Sequence, residues 1–267
     1  MSEAASHISV RGVHKVFQSG GQDVYALKDI DLEIRRGEFV CLLGPSGCGK
    51  STLLNAVAGF SLPSAGTIAV DGAPVTEPGP DRGMVFQEYA LFPWMTVAQN
   101  IAFGMEVQDK PKAEINDKVD WLLEVLKLKD FRDRFPKDLS GGMRQRVAIA
   151  RVLGMDSPIM LMDEPFGALD ALTRRNLQDE LLRIWKEFGK TILFVTHSIE
   201  ESIYLADRIV VMTYRPGTIN RDQRVTMPRP RDTSAPEFNE LKRELGLLVM
   251  EEQQRHAADE MKLAAVD

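Results

Sequence analysis

Apolar and polar residues alternate over residues 8–17, and again over 26–34 at Leu27, Ile30, Leu32 and Ile34. This is the period-two pattern of strands with one buried face. The Gly20-Gly21 pair between them predicts the turn of an antiparallel hairpin. Phe39-Val40-Cys41-Leu42-Leu43 is apolar without interruption and predicts a central strand buried on both faces. Helical spacing follows over 50–58, where Leu53, Leu54 and Val57 share one side. Residues 67–70 and 83–87 predict two more strands, flanked by turns rich in Gly and Pro.

From Glu88 the period changes. Residues 97–103, 114–128 (Ile115, Val119, Leu122, Leu123, Leu126) and 143–153 carry helical spacing, so 88–156 is expected to be an all-helical subdomain. Strand patterns return at 159–162 and 191–195 with a helix over 172–188 between them, a β-α-β unit that implies parallel strands. Residues 209–212 predict a further strand. Pro216, Pro228, Pro230 and Pro236 mark a turn-rich linker before a final helix with Phe238, Leu241, Leu245 and Leu248 on one face, expected to dock on its own domain. The expected division is a core made of 1–87 and 157–215, the helical subdomain 88–156, and a linker with an amphipathic helix over 216–267.

A chain of 267 residues can hold one large α/β domain with a smaller one inserted or appended. The net charge of −6, without a long basic run, gives nucleic acid no electrostatic preference as a partner. Its two cysteines, Cys41 in an apolar strand and Cys48 in a glycine-rich loop, read as reduced cytosolic thiols. No stretch approaches the roughly eighteen apolar residues of a membrane span, and the first residues carry no apolar signal core. A soluble chain is expected, which leaves room for a membrane partner.

Two segments carry the chemistry. Gly44-Pro45-Ser46-Gly47-Cys48-Gly49-Lys50-Ser51 follows a buried strand and precedes a helix, the context of a phosphate-cradling loop. Its glycines turn backbone N–H groups inward, Lys50 is expected to bridge the terminal phosphates, Ser51 to hold Mg2+ and Thr52 to donate to the α-phosphate. A bulky adduct on Cys48 is expected to obstruct the nucleotide, so alkylation there should inhibit the protein and MgATP should slow it. Leu139-Ser140-Gly141-Gly142 is a second glycine-rich helix start. One nucleotide tail has little use for two cradles in a single monomer, so the pair predicts a nucleotide sandwiched between two copies of the chain.

Around them lie candidates for water and metal. The apolar run at 159–162 ends in Asp163-Glu164, and strand ends of parallel sheets face the ligand crevice. Asp163 is expected to reach the magnesium shell through water, and Glu164 to face the attacking water. Gln87 offers an uncharged oxygen to magnesium and a donor to water, and His197, after the last core strand of the β-α-β unit, is a candidate for the γ-phosphate.

Taken in order, the phosphate loop, Gln87, Leu139-Ser140-Gly141-Gly142, Asp163-Glu164, Ala168-Leu169-Asp170 and His197 resemble the ATP-binding subunits of ABC transporters over about residues 8–215. The resemblance implies a P-loop NTPase core, α/β with a mixed sheet and N-terminal antiparallel strands, carrying an inserted helical subdomain. It implies ATP and Mg2+ as cofactors and ATP hydrolysis coupled to transport. It assigns Phe17 to adenine stacking with Tyr25 as second candidate, and Glu164 to general-base work. Ser140, Gly141 and Gly142 would face the γ-phosphate held by the opposite subunit, His197 would stabilise that phosphate, and Asp170 would communicate across the dimer. Two residues depart from the family pattern: Met143 stands where glutamine is common, and Gly167 where serine is usual, which removes a hydroxyl.

Residues 92–97 (FPWMTV), 163–174 (DEPFGALDALTR) and Arg215-Pro216-Gly217 look more narrowly like the nitrate, sulfonate and taurine importer group. That likeness implies a permease and, indirectly, an extracytoplasmic solute-binding protein as partners, at the cytoplasmic face of the inner membrane. Phe86, Tyr89, Leu91, Phe92, Pro93 and Trp94 are more apolar surface than a small insertion can bury, so they are expected to line part of the groove that receives the permease, Trp94 being the most exposed. The competing class is an ABC ATPase acting on nucleic acid or ribosomes. Such proteins usually carry tandem cassettes or long coiled-coil insertions, whereas this chain has one cassette, a modest insertion and an acidic balance.

Overall fold

The computed structural model describes residues 6–19 and 21–264. The chain divides into two compact units, Met1–Pro78 with Thr191–Asp267, and Gly79–Lys190.

In the first unit, β1 (Ser6–Ser19) pairs antiparallel with β2 (Gln22–Arg35) and with β4 (Ala65–Val70), which pairs with the short β5 (Ala73–Pro74); the sheet order is β2-β1-β4-β5. Leu27, Ile30, Leu32 and Ile34 all point inward. The three-residue step from Leu27 to Ile30 is absorbed by a register shift in the β1–β2 ladder and by Asp29 at φ 51°, a bulge that returns the alternation to the core face. Gly20 lies outside the described residues, and Gly21 has φ 80°.

The same unit holds β3 (Phe39–Leu43), buried at every position, parallel to β8 (Thr191–Thr196) on one side and β9 (Arg208–Met212) on the other. On the far edge β9 pairs antiparallel with β10 (Ile219–Arg224). A strand paired on both edges and covered on both faces must be apolar throughout, as the β3 sequence is. Helix α1 (Lys50–Ala58) follows β3, α6 (Ile199–Leu205) connects β8 to β9, and α7 (Pro236–Ala264) packs on α6 and β9. The last helix buries Phe238, Leu245, Val249 and Glu252, so its inner face is turned from the expected one, and Leu241 and Leu248 lie at its margin. Residues 216–235, read as linker, contain the strand β10.

In the second unit β6 (Arg82–Val85) runs parallel to β7 (Ile159–Asp163). Its helices are α2 (Val97–Val107), α3 (Lys112–Val125), α4 (Gly141–Gly154) and α5 (Ala171–Phe188). Thr96 and Gln99 form a reciprocal capping box at the start of α2. A Cβ at Gly83 would stand 2.2 Å from Val152, so glycine in β6 lets α4 lie directly on the strand. This unit takes in both strands and α5, a wider span than the helical segment 88–156.

Candidate functional site

The phosphate loop leaves β3 at Leu43 and closes at the start of α1. A Cβ on Gly44 would stand 2.8 Å from Cys48 Sγ and 2.9 Å from the Met212 carbonyl oxygen, so only glycine fits. Gly47 at φ 79° and Gly49 at φ 97° adopt the left-handed backbone that glycine tolerates. Gly49 is the N-cap of α1 and supplies no side chain to it, which leaves the first-turn N–H groups, at the positive end of the helix dipole, directed to an anion. Ser51 and Thr52 sit half-buried in that first turn.

Lys50 is buried, and its Nζ donates to the carbonyl oxygens of Gly44 and Pro45, each at 2.8 Å. The ammonium is thus held at the centre of the loop by carbonyl oxygens that a phosphate can replace. Cys48 is fully buried beside it, with Lys50 Nζ 3.7 Å from Sγ. Burial pushes the thiol above its ordinary range, and the nearby ammonium opposes that only in part. This corrects the expectation of a useful alkylation site: iodoacetamide is expected to label native Cys48 slowly with or without nucleotide, and quickly after denaturation. Rapid labelling of the folded chain, read by mass spectrometry, would contradict the placement.

Near the turn of the β1–β2 hairpin Phe17 is 44% exposed and Tyr25 48%. Neither is core, so packing does not explain Phe17. The Lys15 ammonium lies 5.2 Å from the Phe17 ring centroid. Tyr25 precedes Ala26, whose carbonyl oxygen lies 2.9 Å from a Cβ placed on Gly49; this strand borders the loop. His197 is exposed just after β8, in a turn set by Ser198, which caps α6 through Glu201 N, and by the Thr196–Glu201 hydrogen bond.

In the second unit, β6 ends one residue before Phe86-Gln87, and β7 ends at Asp163. Glu164 follows at φ 42°, a left-handed conformation that costs a non-glycine residue about 1–3 kcal/mol and recurs at functional positions. A Cβ on Gly167 would lie 3.8 Å from Gln87 Nε2 and 3.9 Å from Glu164 Oε2, so Gln87 and Glu164 border the same small space. The missing serine hydroxyl would have entered there.

Asp170 caps α5 by accepting from Thr173 N at 3.0 Å, and these backbone donors hold its carboxyl below the ordinary range. The turn before it is tied down by Arg174, which donates to the carbonyls of Phe166 and Leu169. Ser140 caps α4 by accepting from Met143 N at 3.3 Å. A Cβ on Gly142 would stand 2.7 Å from Thr173 Cγ2, and one on Gly141 3.2 Å from the Tyr89 hydroxyl. The close approach of α4 to its neighbours therefore leaves little room for a side chain at Gly142, and at Gly141 presses only on movable side-chain ends.

Sequence reasoning missed the arginines. Besides Arg174, Arg151 on α4 donates to the carbonyls of Ala90 and Tyr89, two residues at positive φ, and Arg144 lies over the Tyr89 ring. Arg151 and Arg144 fix the turn after Gln87 to α4. The partners of Arg151 and Arg174 are backbone oxygens and that of Arg144 an aromatic face, which no residue pattern marks.

Residues 27–167 match the sequence profile of the family described as ABC transporter. The chain belongs to the ABC transporter family. It is 47% identical over 238 residues to the nitrate import ATP-binding protein NrtD of Synechocystis sp., covering 89% of this chain and 90% of that one. It is 51% identical over 205 residues to the taurine import ATP-binding protein TauB of Roseobacter denitrificans, covering 77% and 76%. Among solved structures, a dimeric ATP-binding cassette in a post-hydrolysis state with ADP and Pi superposes with a TM-score of 0.73 at 32% identity, over 83% of this chain and all of that one. As an ATP-binding member of the family the chain is an ATPase coupled to transport, and its fold is the ABC cassette form of the P-loop NTPase core expected from the sequence. Among the described residues no helix is long and apolar enough to cross a membrane.

Proposed function

We propose that the chain is the ATP-hydrolysing subunit of an importer for a small anion such as nitrate, a sulfonate or taurine, and that two copies close on two ATP molecules to drive a membrane permease. The observation that carries this reading is the span of the likeness: it covers nine-tenths of a nitrate importer subunit, well beyond the matched residues 27–167. The chain would sit peripherally at the cytoplasmic face of the inner membrane, served indirectly by a solute-binding protein, with no part for nucleic acid at a net charge of −6.

In this mechanism the backbone N–H groups from Ser46 to Thr52 and the Lys50 ammonium hold the phosphate chain, and Phe17, or Tyr25 beside it, stacks on adenine. The donor set suits Mg2+ by its chemistry: the Ser51 hydroxyl, the Gln87 amide oxygen and the Asp163 carboxylate, the last acting through water, would all be hard oxygen ligands. Bound there, Mg2+ would neutralise charge on the terminal phosphates. Glu164 orients the attacking water and takes its proton, while His197 donates to the γ-phosphate. The start of α4 at Ser140, Gly141 and Gly142 faces the γ-phosphate of the opposite subunit, and Asp170, capping α5, passes that contact across the dimer.

The permease groove is the testable outer end of this reading. Trp94 is 69% exposed and leans on Phe92, which packs on Phe103, so its removal spares the ring pair beneath it. In vesicles carrying the permease, ATPase activity is expected to rise when the loaded solute-binding protein is added. Trp94→Ala is expected to weaken permease association by about 1–3 kcal/mol while the isolated subunit stays folded and binds ATP. Unchanged association would move the docking surface elsewhere, and recovery of RNA or DNA in place of a membrane protein from a pull-down would overturn the importer reading.

A further inference from the structure

The C-terminal helix reaches the phosphate loop through one buried carboxylate. Glu252 on α7 is 2% exposed, and a carboxylate out of water must be fully hydrogen-bonded. Its Oε2 accepts from the Tyr214 backbone N–H at 3.1 Å, and its Oε1 from Asn220 Nδ2 at 3.1 Å and from the exposed Arg255 at 3.1 Å. Tyr214 lies two residues after β9 and Asn220 is the second residue of β10, so a single side chain grips the chain on both sides of their connection.

Between those two residues the segment is bonded backbone to backbone to β2, the strand that borders the nucleotide cradle. Gly217 N donates to the Ala26 oxygen at 3.0 Å, and Lys28 N to the Gly217 oxygen at 2.9 Å. A Cβ on Gly217 would stand 2.2 Å from the Cys48 carbonyl oxygen, and Arg215 Nε donates to the Gly47 carbonyl at 3.4 Å. Cys48 and Gly47 are the middle of the phosphate loop, and both are reached from outside by this one segment.

We propose that Glu252 is a positioning residue for nucleotide binding: α7, through Glu252, holds residues 214–220 against Gly47 and Cys48 and so keeps the phosphate loop in its binding conformation. This rests on the reading that the loop holds ATP. The C-terminal helix then has a task besides covering α6 and β9, and whatever displaces it weakens nucleotide binding. Removing the carboxylate leaves the half-buried Tyr214 N–H and the Asn220 amide without that acceptor and unties the segment from α7, leaving it to its own Thr213–Thr218 hydrogen bonds. Substituting Gly217 acts on the same contact from the other side, since a methyl group there must push the Cys48 carbonyl away.

The test is titration of the full-length chain with MgATP, alongside kcat and KM for ATP hydrolysis and a thermal melt. Glu252→Ala is expected to raise Kd and KM for ATP about tenfold with kcat at saturation nearly unchanged. Glu252→Gln, whose amide oxygen still accepts from Tyr214 N, is expected to restore values close to the parent's. Gly217→Ala is expected to raise Kd with Glu252 intact, which keeps the proposal open to refutation if Glu252→Ala fails to fold. Val249→Ala, a buried apolar change on the same helix, is expected to lower the melting temperature and leave Kd alone. A Glu252→Ala chain that loses stability but keeps the parent's Kd, as Val249→Ala does, overturns the positioning role; so does a Gly217→Ala chain of unchanged Kd. A parent chain that binds no MgATP overturns the ATP reading itself, and this proposal with it.

Discussion

Glu164→Gln is expected to bind ATP as tightly as the parent chain and to turn it over about 100- to 10,000-fold more slowly, the range that loss of a general base produces. The amide is isosteric with the carboxylate, so the left-handed backbone at φ 42° and the Gly167 N to Glu164 O hydrogen bond at 3.1 Å stay as they are. What disappears is the basic oxygen that takes a proton from water. With hydrolysis blocked and binding intact, an ATP-bound dimer should accumulate, visible by size-exclusion chromatography with light scattering. Lys50→Ala should show the opposite pattern. It removes the ammonium that now bonds the Gly44 and Pro45 oxygens, and so weakens binding itself. Near-normal turnover in Glu164→Gln would exclude the general-base role.

The elements legible in the sequence were those whose pattern has one cause. Strand β3 is apolar because it is covered on every side, and the phosphate loop is glycine-rich because Gly44 and Gly49 touch backbone. Helix α6 carried no such mark. It is seven residues long and buried from Glu201 to Leu205, so it shows no amphipathic stripe, and its one signal was Ser198 three residues before Glu201. Strand β10 (INRDQR) is a polar edge strand whose charges guard an open edge, and it reads as loop.

The same limit governs the site. Gln87, Asp163, Glu164 and Ser140 are identifiable because a motif places them in line, whereas Arg151 and Glu252 act on backbone groups far away in sequence, and Arg174 on backbone carbonyls that no motif marks. Glu252 in particular occupies an apolar face where a charged residue would be read as solvent-facing. Cys48 misled in the other direction. Its position in a ligand loop argued for access, while packing under Lys50 and beside Gly44 and Gly217 closes it off.

Mixing two inactive chains is expected to regenerate activity. In a Lys50→Ala chain the phosphate loop is lost but the start of α4 is intact; in a Ser140→Arg chain the reverse holds. If each ATP lies between the loop of one copy and the α4 start of the other, a mixed dimer has one site with both defects and one with neither. Random pairing of equal amounts makes half the dimers mixed, so about a quarter of all sites should be intact, against almost none in either chain alone. Neither substitution need unfold its chain. The Ser140 cap on Met143 N is worth roughly 1 kcal/mol, small beside the burial of α4 against its neighbours. The arginine at that helix start brings bulk and a misplaced charge to the position meant for the γ-phosphate of the partner. Activity of the mixture should also rise with protein concentration as dimers form. A mixture no more active than its components, or a specific activity that stays constant on dilution to a demonstrated monomer, would place both cradles in separate roles within one chain.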